Sequence, residues 1–184
     1  VVARLLQAAG WPVEVRRLSA PTTDDAKAMA AQWSGPTPPV AAGLADVQPG
    51  VLLVDAMYGA GLSRALDGEA ALAALRMAED PGNVVAIDLP SGLAGDQAAP
   101  FGPAVAAGLT VTFHAKKLAH VLEPAGERCG EVVVADIDLP AATRVADATR
   151  SGELPDQIDV VTALHACDTA TDDAIAFGLA KQAK

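Results

Sequence analysis

Residues 83–90 read NVVAIDLP, and this run decides the fold. Val84, Val85, Ala86 and Ile87 follow one another with no polar alternation, so the segment is predicted as a strand with apolar neighbours on both faces. Asp88 and Pro90 then end it with a carboxylate and a residue that cannot donate to a ladder. The same wording recurs upstream as VLLVDA (51–56) and downstream as GEVVVADIDLP (130–140), with LTVTF (109–113) between. Segments of helix length separate these runs; Asp67 to Glu79 is one, with Ala71, Leu72, Leu75 and Met77 as candidate contacts. Parallel strands need such crossovers, so the pattern predicts an α/β fold, a doubly wound α/β/α sandwich around a mostly parallel sheet. Ligands in that architecture sit beyond the carboxyl ends of the strands, which directs attention to the residues after each run.

Outward from this centre the signals are shorter. Val1 to Ala9 is apolar on almost every side and stops at Gly10, which predicts a buried helix. VEVRRL (13–18) reads as a short strand with Val13 and Val15 inward. Asp24 to Trp33 carries Ala26, Met29, Ala30 and Trp33 at helical spacing, with Thr22, Thr23 or Asp24 as the N-cap. Ser34 to Gly50 is a linker rich in Pro and Gly. Near the end, Ala141 to Pro155 reads as a polar helix and linker, Asp159 to Leu164 as a strand and Asp168 to about Ala183 as a helix.

Composition narrows the function classes. Of 184 residues 51% are hydrophobic but only 3% aromatic, so the core must be built from Ala, Val and Leu. Thirteen Lys and Arg against 23 Asp and Glu give a net charge of −10, which disfavours nucleic acid as a partner because phosphate binding needs clustered cations. The apolar runs are too short and too interrupted to span a membrane. Cys129 and Cys167 are too few for a disulfide framework and lack metal-ligand spacing with the histidines, which fits a reducing compartment. The opening VVARLLQAAG has no basic n-region and no initiator Met, so it reads as a fragment without a signal peptide.

Three strand ends carry chemistry. After VLLVDA comes MYGAGLSRALDG (57–68), where Gly59 and Gly61 let the backbone approach a ligand and Arg64 offers a charged fork. A tight strand-to-helix turn, with Asp55 bonding local backbone, explains the same spacing. After the second run, Asp88 is a candidate general acid or base at a strand tip, and Ser91 could ligate a cation or a substrate hydroxyl; a loop in which Asp88 satisfies neighbouring N–H groups is the plainer alternative. Lys116 and Lys117 follow the third, either facing an anionic ligand or simply solvated. His114 and His120 read as ordinary polar residues, since no third metal ligand follows at useful spacing.

Taken in order, VDAMYGAGLSRALDGE, AIDLPSGLAGD and VTFHAKKLAHVLEPAGERCGEVVVADIDLP resemble the NAD(P)H-hydrate epimerases, the YjeF N-terminal domain family, over residues 1 to about 140. The resemblance implies a Rossmann-like α/β/α sandwich, an isomerase that interconverts the R and S forms of hydrated NADH and NADPH, and a bound potassium ion. By motif, Asp55 and Ser91 match the family's potassium ligands, and Gly59, Ala60, Gly61, Leu62, Ser63, Arg64 and Ala65 match its substrate loop. Asp88 matches the substrate-contacting aspartate and is the expected catalytic residue, handling the proton that loosens and re-forms the bond to the C6 hydroxyl. A cytoplasmic enzyme, with a homodimer as one form of assembly, goes with this reading.

Two departures stand out. The family's NNGGDG-type segment, a phosphate-cradling turn that supplies a further potassium ligand, should stand immediately before Val1, so the resemblance implies a domain that lacks its first strand. Beyond a linker at 141–158, the tail 159–184 is similar to a strand-and-helix segment of class I methyltransferases, without their Gly-rich cofactor loop; an unrelated capping strand and helix explains it as well. His165 and Cys167 in that tail do not form a catalytic pair, since nothing nearby orients a base. Two alternatives to the epimerase are carried forward: a non-catalytic nucleotide-binding or scaffold module of the same fold, and a methyltransferase-related fragment.

Overall fold

Strands form where the apolar runs predicted them. The structure, a computed structural model, describes residues 1–48 and 50–137. Four strands make one sheet in the order β1-β2-β3-β4: β1 Leu53–Asp55, β2 Val84–Ile87, β3 Leu109–Phe113 and β4 Glu131–Ala135. Every pairing is parallel, with Asp55 beside Ala86, Ala86 beside Thr110 and Thr110 beside Val132. With flanking helices this is the Rossmann-like α/β arrangement expected. The expectations for residues 141–184, including those for His165 and Cys167, lie outside the described residues.

One sheet face builds the core. Strand side chains alternate, and the buried row runs through Val84, Ala86, Thr110 and Thr112. Leu66, Ala70, Ala74, Met77, Val105 and Ala107 pack on Val84 and Ala86, and a second cluster joins Leu89, Leu93, Ala104, Ala119, Ala125 and Cys129. The alternate residues Val85, Ile87, Val111 and Phe113 are half-buried. The low aromatic content thus translates into a core of small residues. Each fully buried Val or Met contributes roughly 1.5–3 kcal/mol.

Helix α3, Gly68–Ala78, shows what the small residues do. Its buried face is Ala70, Ala73, Ala74 and Met77, the i, i+3, i+4, i+7 stripe of one helix side. Leu72 and Leu75, expected as contacts, are 59% and 54% exposed. Alanine on the inner side lets the helix lie close to the sheet, and the bulkier leucines fall on the other side.

The amino-terminal third departs further. Helix α1, Val2–Ala8, has no buried residue, contrary to the buried helix expected. It meets α2, Asp24–Ala30, across a small cleft lined by Val1, Ala3, Arg4, Val15, Met29, Ala30 and Trp33, and Met29 is itself exposed. Thr23 caps α2, its Oγ1 accepting from the Ala26 N–H at 3.3 Å. The strand expected at 13–18 reduces to a single bridge between Arg17 and Pro39. Arg17 N–H donates to Pro38 and its carbonyl accepts from Val40, but Pro36, Pro38 and Pro39 have no N–H with which to extend a ladder.

Candidate active site

The tip of β1 ends in a carboxylate that water does not reach. Asp55 is fully buried. Its Oδ2 accepts from the Ser91 N–H at 2.7 Å; its Oδ1 accepts from Ser91 Oγ at 2.7 Å and from the Met57 N–H at 3.3 Å. Burial raises its pKa above the ordinary 3.8 and outweighs these three donors, none of which is charged. Among the described residues no cation pairs with it. Ser91 Oγ accepts from the Tyr58 N–H at 3.0 Å, and its single proton goes to Asp55. The Tyr58 carbonyl, 3.4 Å from Ser91 Oγ, therefore gains no donor from that hydroxyl. Three hard oxygens converge beneath the turn.

The tip of β2 is built differently. Asp88 has φ +70, a conformation that non-glycine residues rarely adopt and in which Asn, Asp and His are the commonest exceptions. The Leu89 N–H returns to the Ile87 carbonyl at 3.0 Å, so Asp88 is the centre of a positive-φ γ-turn, a rare and strained turn. The neighbouring strand repeats it: His114 has φ +67 and the Ala115 N–H returns to the Phe113 carbonyl at 2.8 Å. Such strain persists where the surroundings over-determine it, and Asp88 is held on every side. Its N–H donates to Val111 at 2.7 Å, its Oδ2 accepts from the Ala60 N–H at 3.1 Å, and its Oδ1 accepts from Thr112 Oγ1 at 3.0 Å.

Lys117 completes this tip. Its ammonium lies 2.7 Å from Asp88 Oδ1, 2.7 Å from Thr112 Oγ1 and 3.1 Å from the Phe113 carbonyl, so each of its three N–H groups has an acceptor. Burial pushes the Asp88 carboxyl up, but hydrogen bonds from Lys117, Ala60 and Thr112 together with the Lys117 charge outweigh it and hold its pKa below 3.8. Asp88 is ionised at neutral pH, paired with its own cation.

The substrate-loop residues divide into two groups. Gly59 and Ala60 are brought onto Asp88: a Cβ at Gly59 would stand 3.0 Å from Asp88 Oδ2. Leu62 is half-buried against the core. Gly61, Ser63, Arg64 and Ala65 are exposed and make no hydrogen bond to Asp88. Gly92, with φ +104, passes so close to the backbone of residues 103–104 that a Cβ would meet the Pro103 carbonyl at 2.5 Å; it fixes the chain just beyond Ser91. Of the two lysines read as facing an anionic ligand or solvated, Lys116 is exposed and Lys117 is half-buried on Asp88, a carboxylate pairing that neither reading contained. The signal available was its place on the loop leaving a third parallel strand, beside Asp88. Cys129 is buried, its thiol pushed up to about 11 by burial and by Glu123, and so is no nucleophile.

The strand tips of this parallel α/β sheet carry a buried oxygen cluster and a strained carboxylate–lysine pair, at the carboxyl ends where α/β sheets place ligands. The family profile described as YjeF-related protein N-terminus matches residues 1–119, and the chain belongs to this family. The NAD(P)H-hydrate epimerase of Levilactobacillus brevis is 34% identical over 152 residues, 80% of this chain and 69% of the relative. That of Limosilactobacillus fermentum is 34% identical over 137 residues, 73% of this chain and 66% of the relative. The bifunctional NAD(P)H-hydrate repair enzyme Nnr of Moorella thermoacetica is 42% identical over 89 residues, 48% of this chain and 17% of the relative. The chain thus spans about two thirds of the epimerases and about a sixth of the bifunctional enzyme. Among the described residues no helix is long and apolar enough to cross a membrane.

Proposed function

We propose that this chain interconverts the R and S forms of hydrated NADH and NADPH, with Asp88 and Lys117 as its catalytic residues. The observation that carries this reading is the 2.7 Å pair between an ionised carboxylate and an ammonium, one-quarter exposed at a strained strand tip. The names of the related epimerases supply the substrate class. Inverting C6 requires its hydroxyl to leave and return on the other face. Lys117 donates a proton to the C6 hydroxyl oxygen; the C6–O bond breaks, water departs and the lone pair of the ring nitrogen forms an iminium. The Asp88 carboxylate stabilises that cation. Water then adds to the opposite face, and its proton returns through Asp88 to Lys117, leaving the protein unchanged. Acid–base assistance of this kind supplies about 10²–10⁴-fold.

The exposed Arg64 and Lys116, with loop N–H groups, are the groups on hand for the pyrophosphate, which the net charge of −10 otherwise repels. Asp55, Ser91 and the Tyr58 carbonyl would hold a potassium ion: the donors are hard oxygens, and the buried carboxylate has no cationic partner among the described residues. When bound, the ion supplies the positive charge that Asp55 lacks and ties the turn before Gly59 to Ser91. A cytoplasmic location and pairing of two copies belong to the same proposal.

The test is chromatographic. A purified S hydrate of NADPH incubated with the chain should equilibrate with the R form well above the spontaneous rate, and Asp88→Asn should lose most of that acceleration. Equal rates with and without protein would remove the reading for this chain.

A further inference from the structure

His120 is assigned no part in the chemistry above, yet it touches both catalytic residues. It is 6% exposed and closes the 3₁₀ turn Leu118–His120. Its Nδ1 accepts from the Lys117 backbone N–H at 2.8 Å, and its Nε2 lies 2.9 Å from the Asp88 carbonyl oxygen. A backbone N–H can only donate and a carbonyl can only accept, so these partners require one state of the ring: neutral, with its hydrogen on Nε2. The charged groups facing it are Asp88 from the tip of β2 and Lys116 and Lys117 from the segment leading into the turn. Burial, first, and the two lysine charges hold its pKa below 6.5, against the opposite pull of Asp88.

We propose that His120 is a positioning residue, a neutral imidazole strut between the backbones of Asp88 and Lys117 that holds the Lys117 ammonium on the Asp88 carboxylate. The strut grips the carbonyl of the strained γ-turn itself, adding an anchor to a conformation that the chain would otherwise relax. At its other end it fixes where the flexible stem of Lys117 starts, so that Nζ returns to Asp88 and to the Phe113 carbonyl that closes the second γ-turn. Protonation at Nδ1 would set two hydrogens against each other and release the Lys117 end.

The kinetic part of this role rests on the epimerase reading; the strut itself does not, and the experiment separates them. Carbon-detected NMR follows the Asp88 carboxyl through its titration in wild type, His120→Leu and His120→Asn, with circular dichroism confirming the fold. Leucine removes both bonds, so Asp88 should titrate higher, towards 3.8; asparagine keeps an acceptor for the Lys117 N–H and should restore part of the difference. Unchanged Asp88 titration in both variants would overturn the proposal and leave His120 as core filling. Imidazole nitrogen spectra of the wild type give an independent reading, with the neutral Nε2–H ring expected at neutral pH and an Nδ1–H or charged ring contradicting the strut. In turnover of the NADPH hydrate, His120→Leu should lower kcat about tenfold with KM nearly unchanged. A wild type that fails to turn over would sink the epimerase reading, while the carboxyl titration would still decide the role of His120.

Discussion

The two strand tips solve the same problem in opposite ways. Each follows a parallel strand with an aspartate: Asp55 is sealed from water among three uncharged donors and its pKa rises, whereas Asp88 keeps partial exposure, carries Lys117 at 2.7 Å and its pKa falls. A carboxylate without a cation is a place for one; a carboxylate that brings its own cation is free to act on a ligand. On the proposed function the contrast divides the site into a part that holds and a part that reacts, and it can be broken at either end.

The largest effect is expected at the reacting tip. Asp88→Asn removes the charge that orders Lys117 and stabilises the iminium, and epimerisation should slow by about 10³-fold, near 4 kcal/mol. Next comes the backbone that joins the tips. Gly92→Ala forces a Cβ to 2.5 Å from the Pro103 carbonyl at φ +104 and should cost about 3 kcal/mol of stability by chemical denaturation.

The holding tip gives a smaller, cation-dependent signal. Potassium at ten times its Kd should stabilise the wild type by about 1.4 kcal/mol over a choline buffer, and Asp55→Asn should abolish that increment. The pH dependence has a definite sign. Because the folded pKa of Asp55 lies above 3.8, its contribution to stability falls as pH rises from 3.8 through the raised value; Asp88, with its folded pKa below 3.8, contributes above 3.8 and loses that contribution as pH falls through the lowered value. Denaturation followed upward from pH 3.8 without potassium should therefore show a decline that Asp55→Asn removes. Smallest of all, Leu72→Gln on the outer side of α3 should change stability by no more than about 0.5 kcal/mol, although leucine at that position reads as core.

What the sequence made legible follows from range. The runs ending in Asp55, Ile87 and Phe113 are local signals of strands in a parallel sheet, and the family resemblance grouped Asp55 with Ser91 and Asp88 with the loop after β1. Packing side is less local: the alanine stripe of α3 is buried because the helix must lie close to Val84 and Ala86, and hydrophobicity alone favoured Leu72 and Leu75. At 13–18 the alternation was real, but its partner segment is proline-rich and cannot extend a ladder. The pairing of Lys117 and His120 with Asp88 was not legible for another reason. Their meaning comes from two γ-turns at the tips of adjacent strands, and positive φ at Asp88 and His114 leaves no mark that residue type alone discloses.

The division between a holding and a reacting carboxylate is tested most directly by following the conversion of a purified S hydrate of NADPH into the R form with wild type, Asp55→Asn and Asp88→Asn, each in potassium and in choline buffer. The account predicts fast, potassium-stimulated equilibration for wild type, slower and potassium-insensitive equilibration for Asp55→Asn, and close to the spontaneous rate for Asp88→Asn in both buffers. An Asp88→Asn protein that equilibrates the hydrates at the wild-type rate would contradict it.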